Sequence, residues 1–87
     1  MINHDTMQVL VNESLSTYDK VVYIVLCSFV TAENCECSPS VEDIAKRASC
    51  SGRQVRRCLD TLEEHGYMKR EFAPGYATTY VISRLET

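Results

Sequence analysis

The sequence has 87 residues, which is the size of one small domain. Hydrophobic residues make up 45% of it and charged residues 24%, and this balance excludes collagen-like, low-complexity and fully disordered chains. The formal net charge of −3, taken alone, argues against non-specific binding to nucleic acid.

No targeting or membrane segment is visible. No apolar run approaches the ~18 residues of a transmembrane helix, and residues 1–5 lack the basic and apolar regions of a signal peptide. We therefore expect a cytoplasmic protein that does not enter a membrane. The five cysteines are an odd number and follow no secretory signal, which favours free thiols over a disulfide framework.

The N-terminal third predicts a short strand and one long helix. Residues 1–7 are polar and are expected to fray, and residues 8–12 form a β-prone run that predicts an edge strand. Ser16 with Asp19 fits a capping box for a helix over 17–31. The β-branched residues between positions 21 and 30 would also suit a strand, but a run of this length after a helix cap favours a buried helix.

Two shorter helices follow a predicted loop over residues 32–39. Ser40 with Asp43 caps the first of them, which ends near residue 48. After a turn of about three residues, Ser51 caps the next, and Gln54 is expected to complete its capping box. That helix ends at Gly66, in the position of a left-handed C-cap.

A hairpin closes the predicted order of strand, three helices and hairpin. Residues 67–72 and 77–83 predict two strands, and Pro74-Gly75 predicts the tight turn between them. The expected fold is mainly α with a small β-hairpin. Residues 14–83 would form the domain, with an N-terminal segment over 1–13 and a tail over 84–87.

The basic residues are concentrated in one stretch. Residues 46–57 contain five of the nine lysines and arginines and no acid, a local charge of +5 in an acidic chain. This pattern is typical of a site for an anionic partner. The alternative is a solvated helix face with no partner.

The two short helices form a helix-turn-helix pattern. Ala45 is small enough to let them cross closely. Three arginines and Asp60 recur along one face of the second helix, opposite the apolar residues Val55, Leu59 and Leu62. A helix with arginines in its first turns can enter the major groove of DNA, and Ser51 with the free amides of the helix start can hold a phosphate.

The segment PSVEDIAKRASCSGRQVRRCLDTLEEHGYMKRE resembles the winged helix-turn-helix domains of bacterial, phage and plasmid replication-initiator and replisome-organiser proteins. LSTYDKVVYIVL resembles the first helix of that family. The resemblance implies a three-helix core with a C-terminal wing that binds DNA, and it leaves kinship with winged-helix transcription regulators open. Two departures stand out: Ser49 replaces the usual turn glycine, and residues 73–77 of the wing carry no basic side chain.

The sequence therefore predicts a domain that binds double-stranded DNA. The main contacts would be Arg53, Arg56 and Arg57, supported by the remaining candidates Lys46, Arg47, Ser51, Gln54, Lys69 and Arg70. The alternative function is a protein-interaction module that self-associates or contacts other replication proteins through its acidic surface. Arg56 could also simply pair with Asp60 on its own helix.

No enzymatic or cofactor chemistry is predicted. There is no glycine-rich phosphate loop and no nucleophile with a convincing base. Cys35 and Cys37 could begin a zinc site, but the paired ligands of such a site are missing. They are expected to be exposed loop thiols, with buried thiols at Cys27, Cys50 and Cys58. We expect no metal and no cofactor.

Overall fold

The computed structural model describes residues 4–30, 36–72, 74–75 and 77–82, with the side chains of residues 4–7 excepted. Within these ranges the elements are α1 (His4–Val11), α2 (Thr17–Phe29), β1 (Glu36–Cys37), α3 (Val41–Ala48), α4 (Gly52–Glu64), β2 (Met68–Glu71) and β3 (Thr79–Ile82). None of the helices in these ranges has both the length and the apolar character needed to cross a bilayer.

The long apolar run forms a helix, as predicted. The N–H of Asp19 donates to the Ser16 hydroxyl at 3.2 Å, and the N–H of Ser16 donates to the Asp19 carboxylate at 2.9 Å. This closed capping box satisfies backbone donors at the start of α2. Val22 and Leu26 are fully buried and lie four residues apart. The buried side chains therefore follow the spacing of a helix and not that of a strand.

The predicted N-terminal strand is wrong, because residues 4–11 form α1. Val9 is fully buried whereas Val11 is 64% exposed. In a strand these two side chains would share one face, but in a helix they point about 200° apart. Residues 4–7 are helical rather than frayed, and residues 1–3 lie outside the described part of the chain.

The predicted loop over 32–39 contains the short strand β1. Glu36 pairs with Val81 and Cys37 with Tyr80, so β1 extends the hairpin into a three-stranded antiparallel sheet of order β1-β3-β2. Cys37 is consequently buried, which contradicts the prediction of an exposed loop thiol. Residues 31–35, including Cys35, lie outside the described residues.

The hairpin is confirmed, with Arg70 opposite Tyr80 in its register. Gly75 has φ +80° in the turn after Pro74, a conformation that favours glycine. Ala73, Tyr76 and residues 83–87 lie outside the described ranges.

One core joins the helices to the sheet. α2, α3 and α4 pack against one another, α1 packs on α2, and β2 packs on α4. The side chains buried almost completely are those of Val9, Val22, Tyr23, Leu26, Ile44, Val55, Cys58, Leu59, Leu62 and Met68. Because four of them belong to α4, its inner face is fixed in the core and its outer face is left to solvent.

Candidate nucleic-acid interface

The turn between α3 and α4 has the geometry that a glycine would give it. Ser49 adopts the left-handed conformation with φ 56° and ψ 45°, and the N–H of Cys50 donates to the carbonyl of Ala45 at 3.1 Å. The serine therefore does not change the path of the turn. It costs about 1 kcal/mol relative to glycine, because a Cβ disfavours this conformation.

Only half of the capping box predicted for α4 forms. The Ser51 hydroxyl accepts from the N–H of Gln54 at 3.1 Å, as expected for an N-cap. The Gln54 side chain does not return to Ser51; its Nε2 donates to the Cys58 sulfur at 3.7 Å. The Gln54 amide is therefore partly engaged along α4.

Glycine at the first position of α4 lies beneath an arginine. A Cβ built on Gly52 would lie 3.6 Å from Nη1 of Arg56 and 3.5 Å from Cγ1 of Val41. Nη1 of Arg56 thus lies close to the first residue of the helix. Positive charge is concentrated at the end of α4 that already carries the positive end of the helix dipole.

The predicted arginine face is present on α4. Arg53, Arg56 and Arg57 are all exposed. Val55, Leu59 and Leu62, on the opposite face, are at most 1% exposed. The three guanidinium groups therefore project from the outer surface of the first two turns of the helix. Their contact with DNA stays a prediction.

Arg70 is held by two carboxylates of α4. Its Nη2 lies 2.7 Å from Asp60 Oδ1 and 2.7 Å from Glu63 Oε1, and its Nε donates to the same Glu63 oxygen at 2.8 Å. Burial lowers the pKa of Arg70, but the hydrogen bonds and charges of Asp60 and Glu63 outweigh that effect and raise it. Asp60 therefore pairs with Arg70 on β2, and the alternative pair with Arg56 is not formed.

Two of the supporting basic residues, Arg47 and Lys69, point elsewhere, and a third, Arg70, is already paired. Arg47 turns toward the end of α2, where its Nη1 donates to the Ser28 hydroxyl at 3.1 Å and its Cζ lies 4.0 Å from the centre of the Phe29 ring. Lys69 alternates with Arg70 along β2, so it points to the sheet face away from α4. Arg70 itself is occupied, as described above.

The sequence reasoning missed Phe72, which follows β2 and is 75% exposed. A signal was available, because Met68, Arg70 and Phe72 recur with a period of two. Tyr80, the cross-strand partner of Arg70, is buried. Burial raises the pKa of its phenol and outweighs the charges of Arg70 and Arg56, which lower it.

The four thiols that the structure describes lie in the core or pack against it. Burial, followed by the charge of Cys27, raises the pKa of Cys37 to about 11. Burial, followed by a hydrogen bond with Asp19, raises the pKa of Cys58 to about 11 as well. Cys27 and Cys50 are half-buried. Among the residues that the structure describes, no three His, Cys, Asp or Glu side chains are grouped to hold a metal ion.

Comparison with known proteins identifies the family. A family model described as a helix-turn-helix domain matches residues 12–68, which is more than half of the chain. The chain belongs to this helix-turn-helix family. The solved structure of an MDR initiator superposes on the helix-turn-helix chain with a TM-score of 0.64 and 16% sequence identity, covering 100% of this chain and 78% of that one. No match was found among curated protein sequences.

These matches confirm the predicted winged helix-turn-helix fold. In this helix-turn-helix domain, α3 and α4 form the motif, and β2 and β3 form the wing. Membership of the family implies DNA binding, because the second helix of the motif is the one that reads DNA.

Proposed function

We propose that this domain binds double-stranded DNA with the first two turns of α4 in the major groove. The observation that carries the proposal is the exposure of Arg53, Arg56 and Arg57 on one face of a helix whose other face is buried. The major groove, about 12 Å wide, admits a single helix. Arginines on that helix can contact guanine bidentately or neutralise phosphates.

The acidic second half of α4 supports docking by its first half. Glu64 is exposed, and Asp60 and Glu63 share the single charge of Arg70. This end of the helix keeps a net negative charge that repels phosphate. The basic start and the acidic end therefore orient α4 with its N-terminus toward the DNA.

We further propose that this domain acts in the initiation of replication. Two observations support it: the sequence resemblance to replication initiators, and the structural similarity to the MDR initiator. In this role the protein would act in the cytoplasm, without catalytic activity and together with other replication proteins. A transcription regulator would use the same surface and would differ in the sites that it occupies.

A salt-dependent DNA titration tests the proposed function. Affinity for a mixed-sequence duplex is measured at several KCl concentrations for the parent and for the double variant Arg56→Ala/Arg57→Ala. The parent should show a negative log–log slope, and the variant should lose about one in slope for each phosphate contact removed. Lys20→Ala, which removes one charge from α2, is the control and should match the parent. Equal affinity of the parent and the double variant, both folded, would refute the proposal.

A second function, contact with protein, is favoured by apolar exposure away from α4. Val11 on α1 and Tyr18 and Ile24 on α2 are 64%, 50% and 43% exposed. If this function dominates, Val11→Ser/Ile24→Ser will change self-association or partner binding while leaving the DNA titration unchanged. Sedimentation velocity on the parent and on this variant measures the effect on self-association.

A further inference from the structure

Phe72 stands out because, at 75%, it is the most exposed large hydrophobic residue in the part of the chain that the structure describes. Its neighbours on β2 show on which side it lies. Met68 is buried beneath α4, and Arg70, two residues on, contacts Asp60 and Glu63 of the same helix. Side chains along a strand alternate between faces. Continuing this alternation places Phe72 on the α4 side of the sheet, one step past Arg70.

The direction of the strand brings this position toward the arginines. The chain reverses at Gly66, so β2 runs back along α4 toward its start. Two strand residues advance about 7 Å, and about four helical residues cover a similar distance. Counted back from Asp60 and Glu63, which Arg70 contacts, this distance leads to residues 56–59 of α4, a stretch that begins with Arg56 and Arg57. The effect of the Arg56 charge on Tyr80, the cross-strand partner of Arg70, is consistent with this placement.

We propose that Phe72 is a non-ionic DNA contact, through which the wing touches the duplex beside α4. This inference rests on the proposed function. The ring would pack on deoxyribose, on a base edge or between partly unstacked bases, as apolar side chains do in other protein–DNA complexes. The wing thereby adds affinity without adding charge. Arg70, two residues before Phe72 on the same side of the sheet, is already paired.

The positive charge on the neighbouring part of α4 favours DNA as the partner of the Phe72 ring. Arg56 and Arg57 are exposed on the neighbouring part of α4. A duplex held by these arginines would bring its sugars and bases to the apolar ring as well. The exposed apolar residues Val11 and Ile24 belong to α1 and α2 and not to the motif formed by α3 and α4.

The test compares Phe72→Ala with the parent in the salt-dependent titration on a mixed-sequence duplex. Loss of a ring contact should weaken binding at least about fivefold at every salt concentration while leaving the log–log slope unchanged. Phe72→Tyr keeps the ring and should retain most of the affinity. Val11→Ala, which removes an exposed apolar side chain from α1, is the matched control and should equal the parent.

Several outcomes would overturn the proposal without touching the proposed function. If Phe72→Ala binds as tightly as the parent while Arg56→Ala/Arg57→Ala binds more weakly, Phe72 plays no part in DNA binding. A fall in slope would mean that the variant disturbs ionic contacts instead. A change in sedimentation coefficient without DNA would assign the ring to a contact between copies of the chain. Salt-independent or absent binding by the parent would instead refute the proposed function. Matching thermal unfolding of parent and variant shows that the fold is intact.

Discussion

Replacing Arg70 with Met separates two roles that this arginine could have in DNA binding. The sequence suggests a direct phosphate contact, whereas the structure shows its guanidinium bound to Asp60 and Glu63. If Arg70 keeps these contacts when DNA is bound, its role is to offset part of the negative charge of the two carboxylates. Arg70→Met should then add one uncompensated negative charge to α4, where Asp60 and Glu63 already exceed the charge of Arg70 by one, and weaken DNA binding indirectly.

The size of this effect follows from the charges involved. A unit charge about 10 Å from a phosphate in water contributes about 0.4 kcal/mol. The loss of one positive charge facing one or two phosphates therefore costs about 0.4–0.8 kcal/mol of binding, or about two- to fourfold in affinity at low salt. Since Arg70 is only 21% exposed, losing both ion pairs should also lower the free energy of unfolding by about 1–2 kcal/mol.

A double-mutant cycle measures which role is correct. DNA affinity is compared for the parent, Arg70→Met, Asp60→Asn/Glu63→Gln and the triple variant, all confirmed as folded by circular dichroism. We expect Arg70→Met to weaken binding only about two- to fourfold in the parent. When both carboxylates have been neutralised it should weaken binding at least as much, because the charge lost is the same and the freed guanidinium can then reach a phosphate. The reasoning is refuted if Arg70→Met weakens binding of the parent by about tenfold or more and lowers its salt slope by about one, because this is the behaviour of a direct phosphate contact.

Three further predictions concern stability. Ser49→Gly should raise the free energy of unfolding by about 1 kcal/mol and the melting temperature by about 4–8 °C, because Ser49 has φ 56°; an unchanged melting temperature would contradict this. Leu59→Ala should cost about 2–5 kcal/mol in urea denaturation, because Leu59 is 1% exposed in the core; a loss below 1 kcal/mol, on the order of a surface change, would show that α4 is not anchored there. The free energy of unfolding should fall as the pH rises from 9.0 to about 11, because the unfolded thiols ionise first while buried Cys37 and Cys58 stay protonated. Cys37→Ala/Cys58→Ala should make this fall shallower in denaturant titrations, and an equally steep fall would exclude the thiols as its cause.

Features set by neighbouring residues could be predicted from the sequence. The caps at Ser16 and Ser40 each need only a partner three residues away, and both form as closed boxes. Gly66 has φ +79° at the end of α4, as its position predicts. The apolar spacing of Val55 and Leu59 was sufficient to orient the arginine face.

Features set by distant residues could not be predicted in this way. β1 has only two residues and exists because it pairs with β3, more than forty positions away. Arg70 and Arg47 find partners on other elements, so their positions in the sequence did not show that they were engaged. The N-terminal helix was missed because a short β-prone run is a weak signal, and burial of Val9 against the rest of the core decided its conformation.

An NMR titration of the isotopically labelled protein with duplex DNA tests the central claim most directly. If the start of α4 enters the major groove, the largest amide shift changes will fall between Ser51 and Arg57, with smaller ones near Phe72. Amides of α1 and of the first turns of α2 will remain unchanged. Changes centred on Glu63 and Glu64, or on the exposed apolar residues of α1 and α2, would contradict the account and favour a protein-interaction surface.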